Sequence, residues 1–360
     1  MGTRLSACRG CFLGLAVGDA MGFAVDEKSW DEIREDYGPN GLLGYDLVNG
    51  CAEGSSYTQV AAYVANGLLL GITRGKPENY LRYITLSLKE WARAQHFPRD
   101  PERSYCWVAK MPLMRRKKYK DSRMLDALRA ATPGTPEAPI NRAATPGSLT
   151  AAAMVGLAYN PKYMQLQQVV RLGAHTVALT HGDPMAFLSG AVVAECIAGI
   201  LQDPQKSLRQ HFEDAIAVMQ NLYGMIYPQA EILARQLRYA MEQSEAEDPR
   251  QQMEKLGCDS AGQCLAGAML ACLACGEDFD TAMILAVNHS GRSAAVGALT
   301  GAFLGARLGA EALPDFYLES LEAASILEQL AEDMALGSPT MGLFDDDWDH
   351  KYTQGLPIGM

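Results

Sequence analysis

Glycines spaced four apart recur on two apolar stretches near opposite ends of this chain. Residues 8–25 carry Gly10, Gly14, Gly18 and Gly22, and residues 286–309 carry Gly297, Gly301 and Gly305. A four-residue repeat returns to one helical face, and each glycine costs a helix about 1 kcal/mol relative to alanine. The pattern predicts two helices whose glycine faces meet another backbone, either each other's or that of a common centre. Helical periodicity also predicts helices from Ser56, over 79–93, over 122–130, from Leu149, over 163–179, from Pro184, over 207–224 and 229–243, from Gly262, and over 316–335. Ser56 with Gln59 three residues later reads as a capping box. Residues 27–53, with the turn signal Gly38-Pro39-Asn40-Gly41, are expected to form a loop crossing the centre. Residues 96–120 read as an irregular surface excursion, and 132–147 as a Pro-rich loop. No segment alternates with period two and no βαβ series occurs. The fold class is therefore all-α, as one domain over 1–336 followed by a tail over 337–360. The tail's acidic run, Asp345-Asp346-Asp347-Trp348-Asp349, is expected to be solvated.

Composition narrows the function classes. Hydrophobic residues make up 48% of the 360, enough for a large core, and the net charge is −11. That charge argues against nonspecific nucleic-acid binding, which depends on neutralising phosphates. The basic run Arg115-Arg116-Lys117-Lys118, with Lys120 and Arg123, is expected to be a solvated face. Nine scattered cysteines suit reduced thiols in a cytoplasmic protein better than a disulfide framework. Cys272 and Cys275 have redox-motif spacing but lie in an apolar helical run, so core packing is expected of them. No signal-peptide order is present, and no charge-free apolar run reaches the length of a membrane span.

Candidate chemistry sits at helix starts. The polar segment Asn288-His289-Ser290-Gly291-Arg292-Ser293 opens the second glycine-faced helix, where free N–H groups and the helix dipole favour an anion. Gly147-Ser148 opens another helix and offers N–H groups suited to a phosphate. At Thr180-His181-Gly182-Asp183-Pro184 the proline falls in the first turn of a helix, where a missing N–H costs nothing. There is no Ser-His-Asp ordering, no metal-spaced His/Cys cluster and no Walker loop.

These segments together resemble the ADP-ribosylglycohydrolase family, over about residues 10–309. The row from His289 to Gly297 is similar to the family signature H-S-G-D-S-D-S-T-G, with Arg292 and Ala294 in place of its two aspartates. Ser55 to Gln59 resembles S-D-D-T-Q, with Ser56 and Tyr57 at the aspartate positions. The opening around Gly10–Gly22 resembles the family's first helix, where Asp19 matches an aspartate and Asp26 falls at an acidic position. Gly147-Ser148 keeps the frame of a loop that carries the ADP-ribose diphosphate in the family, although its arginine is Ala151 here. His181 matches the T-H-G-x-P turn beside the bound nucleotide.

The resemblance implies an orthogonal helical domain and, in the family, two magnesium ions that orient the ribose and a water. With Ser56, Tyr57, Arg292 and Ala294 at the metal-ligand positions, no metal cofactor is expected here. The expected contacts to a ligand are Gly147, Ser148, His181, Ser290, Gly291 and Arg292, with Asp19 and Asp26 as retained acids. The resulting expectation is a pseudoenzyme that binds ADP-ribose or an ADP-ribosylated partner. An atypical metal-poor hydrolase and a structural protein without ligand stay open beside it. A cation at a helix N-terminus needs an acidic partner, so Arg292 is expected to pair with Asp19, Asp26, Glu53 or a bound diphosphate.

Overall fold

The computed structural model describes residues 2–75, 77–96, 104–118, 122–337 and 346–352. Among these the ordered elements are α-helices and short 3₁₀ turns, with only isolated bridges at Val48–Cys51 and Ala52–Leu321. The helices are α1 (Gly2–Phe23), α2 (Trp30–Tyr37), α3 (Ser56–Thr73), α4 (Tyr80–His96), α5 (Ser122–Arg129) and α6 (Leu149–Leu157). Then come α7 (Leu166–Ala178), α8 (Pro184–Gln202), α9 (Leu208–Tyr223), α10 (Gln229–Gln243), α11 (Pro249–Leu256) and α12 (Ala261–Cys275). The last are α13 (Phe279–Val287), α14 (Ser293–Leu308), α15 (Asp315–Glu319), α16 (Ala324–Leu336) and α17 (Asp346–Tyr352).

The two glycine-faced helices pack on each other. α1 and α14 run antiparallel, with Gly10 against Gly305, Gly14 against Gly301, Gly18 against Gly297 and Gly22 against Ser293. A methyl built on Gly14 would fall on the carbonyl of Gly301, and one on Gly301 would fall on the carbonyl of Gly14. No side chain fits between these backbones, which accounts for glycine on both. Around this pair α3, α6, α8 and α12 supply the rest of the core, with α8 covered by α6, α7 and α9. α8 is long and apolar enough to cross a membrane by length and composition, but 78% of its apolar window is buried inside the molecule.

Several expectations change here. The segment over 27–53 is not wholly loop: Ser29 and Glu32 form a reciprocal capping box that starts α2. The Ser56–Gln59 capping box does not form. Ser55 is the N-cap of α3, and the Gln59 amide instead donates to the Arg116 carbonyl while its oxygen accepts from Trp91 Nε1. The excursion over 96–120 is not confined to the surface, because Cys106, Trp107, Val108 and Met114 are buried. Its cations are engaged: Arg116 pairs with Glu322 and Lys118 with Glu53, whereas Lys120 lies outside the described residues. The helix expected over 316–335 is two, α15 and α16.

The tail is not simply solvated either. Asp345 lies outside the described residues, but α17 follows it and buries Trp348 and Tyr352. Trp107 Nε1 donates to the Tyr352 hydroxyl, which donates in turn to Asp333. Trp348 Nε1 donates to Thr73 Oγ1 at 3.0 Å. An acidic run signals solvent only while its aromatics are ignored, and here the aromatics decide.

Candidate functional site

Four separate chain segments meet where α1 and α14 expose their paired ends. Asp26 and Glu27 follow α1, Ser55 to Tyr57 begin α3, Thr145 and Gly147 precede α6, and Arg292 precedes α14. They line a cleft of about 470 Å³, within the size range of small-molecule sites. Lys118, with Arg123 of α5, closes the far wall. Ser56, Tyr57 and Arg292, which the sequence singles out in three different stretches, therefore share one cavity with Gly147 and Asp26.

The backbone around Arg292 is built from unusual conformations. Glu27 and Cys258 are two of the three non-glycine residues with positive φ among the described residues, at 67° and 38°, and Gly291 has φ 118°. Such angles are rare for residues with a Cβ. The Glu27 N–H donates to Gly291 O and the Arg292 N–H to Cys258 O. A Cβ on Gly291 would lie 2.8 Å from two carbonyl oxygens, those of Gly257 and Cys258, so glycine is required there. These contacts bring two carboxylates to one guanidinium. Arg292 Nη1 pairs with Glu27, and Nε donates to Asp259 at 3.0 Å. The expected partners Asp19, Asp26 and Glu53 are thus replaced by Glu27 and Asp259.

The retained acids hold helices. Asp19 is fully buried and accepts from Ser55 N, Ser55 Oγ, Thr58 N and Thr58 Oγ1, at 2.6–3.0 Å. Burial raises its pKa, against the lowering by those four bonds. It fixes the first turn of α3 from below, and no part of it lines the cleft. Asp26 Oδ1 accepts the Ala294 N–H at 3.1 Å and so supports the start of α14. Glu53 is held ionised by Lys118 and Arg116, and its pKa is lowered.

His181 and Ser148 lie behind the wall. Both are buried, and Ser148 Oγ meets His181 Nδ1 at 2.9 Å while Thr145 Oγ1 meets Nε2 at 3.1 Å. The imidazole thereby ties the Thr145–Gly147 loop to the turn before α8, and a Cβ on Gly147 would press on it at 2.8 Å. Ser290 is likewise structural, accepting from Trp30 N and donating its N–H to Glu254. Gly291 shapes the backbone that presents Arg292. Tyr57 is buried as the cleft floor, which pushes its phenol pKa well up, and Ala294 is buried beneath.

Lys118, Arg123 and Asp259 are neighbours of this site that the sequence does not single out as such. Lys118 and Arg123 stand in the basic run of the sequence, whereas the left-handed Gly257 and Cys258 that present Asp259 leave no mark in its periodicity.

This donor set does not fit two divalent cations. Magnesium takes oxygen ligands in near-octahedral array. The four aligned positions offer one hydroxyl, one buried phenol, one guanidinium and one methyl. The surrounding carboxylates are engaged with Arg292, with Lys118 or with backbone N–H groups. Among the described residues no group of three His, Cys, Asp or Glu side chains could hold a metal.

The family model described as ADP-ribosylglycohydrolase matches residues 1–342. The chain is 27% identical over 331 residues to an uncharacterized protein of Archaeoglobus fulgidus, covering 90% of this chain and 94% of that one. Among solved structures it is similar to an ADP-ribosylglycohydrolase-related protein complex, with TM-score 0.57 and 25% identity, covering 93% of this chain and 99% of that one.

Proposed function

The chain belongs to the ADP-ribosylglycohydrolase family, and from that premise we propose that it retains the cleft without the metal-dependent hydrolysis, binding ADP-ribose or an ADP-ribosylated partner there. The observation that carries this reading is Arg292. Its guanidinium, fixed by Glu27 and Asp259, stands where the family resemblance calls for a metal-ligand aspartate. A guanidinium at that position cannot ligate a dication, and it can donate to a diphosphate that displaces the exposed Asp259. Gly147 and Arg292 contact the ligand directly in this reading, while Ser148 and His181 act through Thr145. The nine free cysteines, all but Cys51 and Cys275 buried, suit a reducing compartment such as the cytoplasm.

Purified protein is assayed for release of ADP-ribose from ADP-ribosyl-arginine, ADP-ribosyl-serine and O-acetyl-ADP-ribose. No magnesium-dependent turnover is expected, and turnover that rises with magnesium and vanishes with chelator overturns the reading. Calorimetry with ADP-ribose should give saturable heat that Gly147→Asp abolishes. The absence of heat at millimolar ligand favours a second reading, a structural protein whose cleft is filled by its own side chains. That alternative draws support from Tyr57, which occupies the floor, and from the mutual bonding of Ser148 and His181. Turnover unaffected by chelator would instead point to a metal-poor hydrolase using Asp26 or Glu27.

A further inference from the structure

The helices that deliver Ser56 and Gly147 to the cleft also reach a second cavity. α3 and α6 pack side by side, each with its N-terminal end at the cleft. Their C-terminal ends, at Thr73 and just before Ala158, open on a cavity of about 630 Å³. α3 has 18 residues and α6 nine, so the two cavities stand roughly 14–27 Å apart. They share no lining residue.

Charge in the second cavity is one-sided. Arg4, Arg74 and Lys162 line it, and no Asp or Glu does among the described residues. In a chain of net charge −11 this is a local reversal. Part of it answers the helix ends: α3, α6 and α16 all finish here, and each C-terminus carries roughly half a negative charge. Arg4 accordingly donates to the Leu157 carbonyl at 2.8 Å. Three half-charges still leave about half of the cationic charge uncompensated. The Arg74 Nε is buried with no hydrogen-bond partner among the described residues. Most of the remaining wall is apolar and includes Tyr80, Tyr163 and Met334. Tyr163 is 70% exposed, an aromatic ring presented to solvent.

We propose that this cavity binds an organic anion with an apolar body, an acyl or aromatic carboxylate, sulfonate or phosphate. Arg74 and Lys162 hold its charged head, and Tyr80, Tyr163 and Met334 cover its body. The structure also supplies a reporter, because Trp348 donates to Thr73 and Thr73 lines the cavity.

The test titrates 8-anilinonaphthalene-1-sulfonate into the full chain and reads probe emission excited through tryptophan. One saturable site is expected. Arg74→Gln with Lys162→Gln should raise Kd at least about a hundredfold, for two lost charge-assisted contacts. Trp348→Phe should reduce the energy transfer. Arg292→Ala should leave the titration unchanged, which separates this site from the cleft. Laurate should displace the probe at concentrations where inorganic phosphate does not. An unchanged Kd in the double variant, unchanged transfer in Trp348→Phe, or equal weakening by Arg292→Ala overturns the proposal. Displacement by phosphate as effective as by laurate overturns the apolar body. Should the double variant fail to fold, the exposed Tyr163→Ser takes its place, and an unchanged Kd there is equally fatal. Arg4 is left intact because it holds α6.

Discussion

Arg292 carries one charge between two acids of unequal exposure. Its side chain is 25% exposed, but Glu27 is 48% and Asp259 72% exposed. Exposed pairs contribute about 0.2–1 kcal/mol each, well under the 3–5 kcal/mol lost when a buried pair is broken. Arg292→Ala is therefore expected to lower stability by about 1 kcal/mol in urea denaturation. It should also weaken ADP-ribose binding if the cleft takes that ligand. A loss above about 3 kcal/mol would mean that the pair is shielded far more than its exposure indicates. The requirement for an acidic partner was legible in the sequence, and the identity of that partner was not. Glu27 reaches Arg292 through its own left-handed backbone, and Asp259 follows a left-handed Cys258. Periodicity carries no signal for such single-residue conformations.

At the scale of elements, the α1–α14 pair is the most demanding contact in the fold. Gly14→Ala gains up to about 1 kcal/mol of helix propensity, yet its methyl lands on the Gly301 carbonyl. Overpacking of this kind typically costs about 1–3 kcal/mol and more where backbone must move. The expected result is a loss of about 3 kcal/mol or more by thermal melting. Gly44→Ala, with open space around it, should change stability by less than about 0.5 kcal/mol. Equal melting of the two variants would remove the close-packed account. The glycine repeats made this pairing legible, as helical periodicity did most of the all-α architecture. α2 was missed although Ser29 and Glu32 spelled a capping box, because the neighbouring Gly-Pro turn dominated the segment. The α3 start at Ser56 was legible but its cap was not: Ser55 is the N-cap, and Asp19, distant in sequence, takes the Thr58 N–H. A cap supplied from another helix leaves no local mark.

For the molecule as a whole, pH dependence is expected from α8. Glu195 is 4% exposed, one of its oxygens has no hydrogen-bond partner among the described residues, and burial raises its pKa to about 8. Asp214 adds to the rise, Lys206 opposes it, and the neighbouring His211 is itself lowered by burial. Unfolded, this carboxyl titrates near 4.5. The folded chain holds the extra proton between those values, so this contribution to stability is full below about 4.5 and is lost as pH rises through 8. Glu195→Gln should therefore flatten the melting profile across that window. It should be more stable than the parent by roughly 2–4 kcal/mol at pH 9. Melting temperatures that track each other from pH 5 to 9 would contradict it.

The glycine pairing also bears on how the chain is made. α1 leaves the ribosome well before α14, its backbone partner, because the whole stretch 24–292 is made between them. At about 5–20 residues per second, a glycine-faced helix waits for about 15–60 s before the surface it was shaped for exists. Until then its groove is open to any small-residue helix, whether in the same chain or in a neighbouring one. Incomplete chains that stop short of Ser293 are the species expected to aggregate or to engage chaperones, with α1 as the segment that makes them do so.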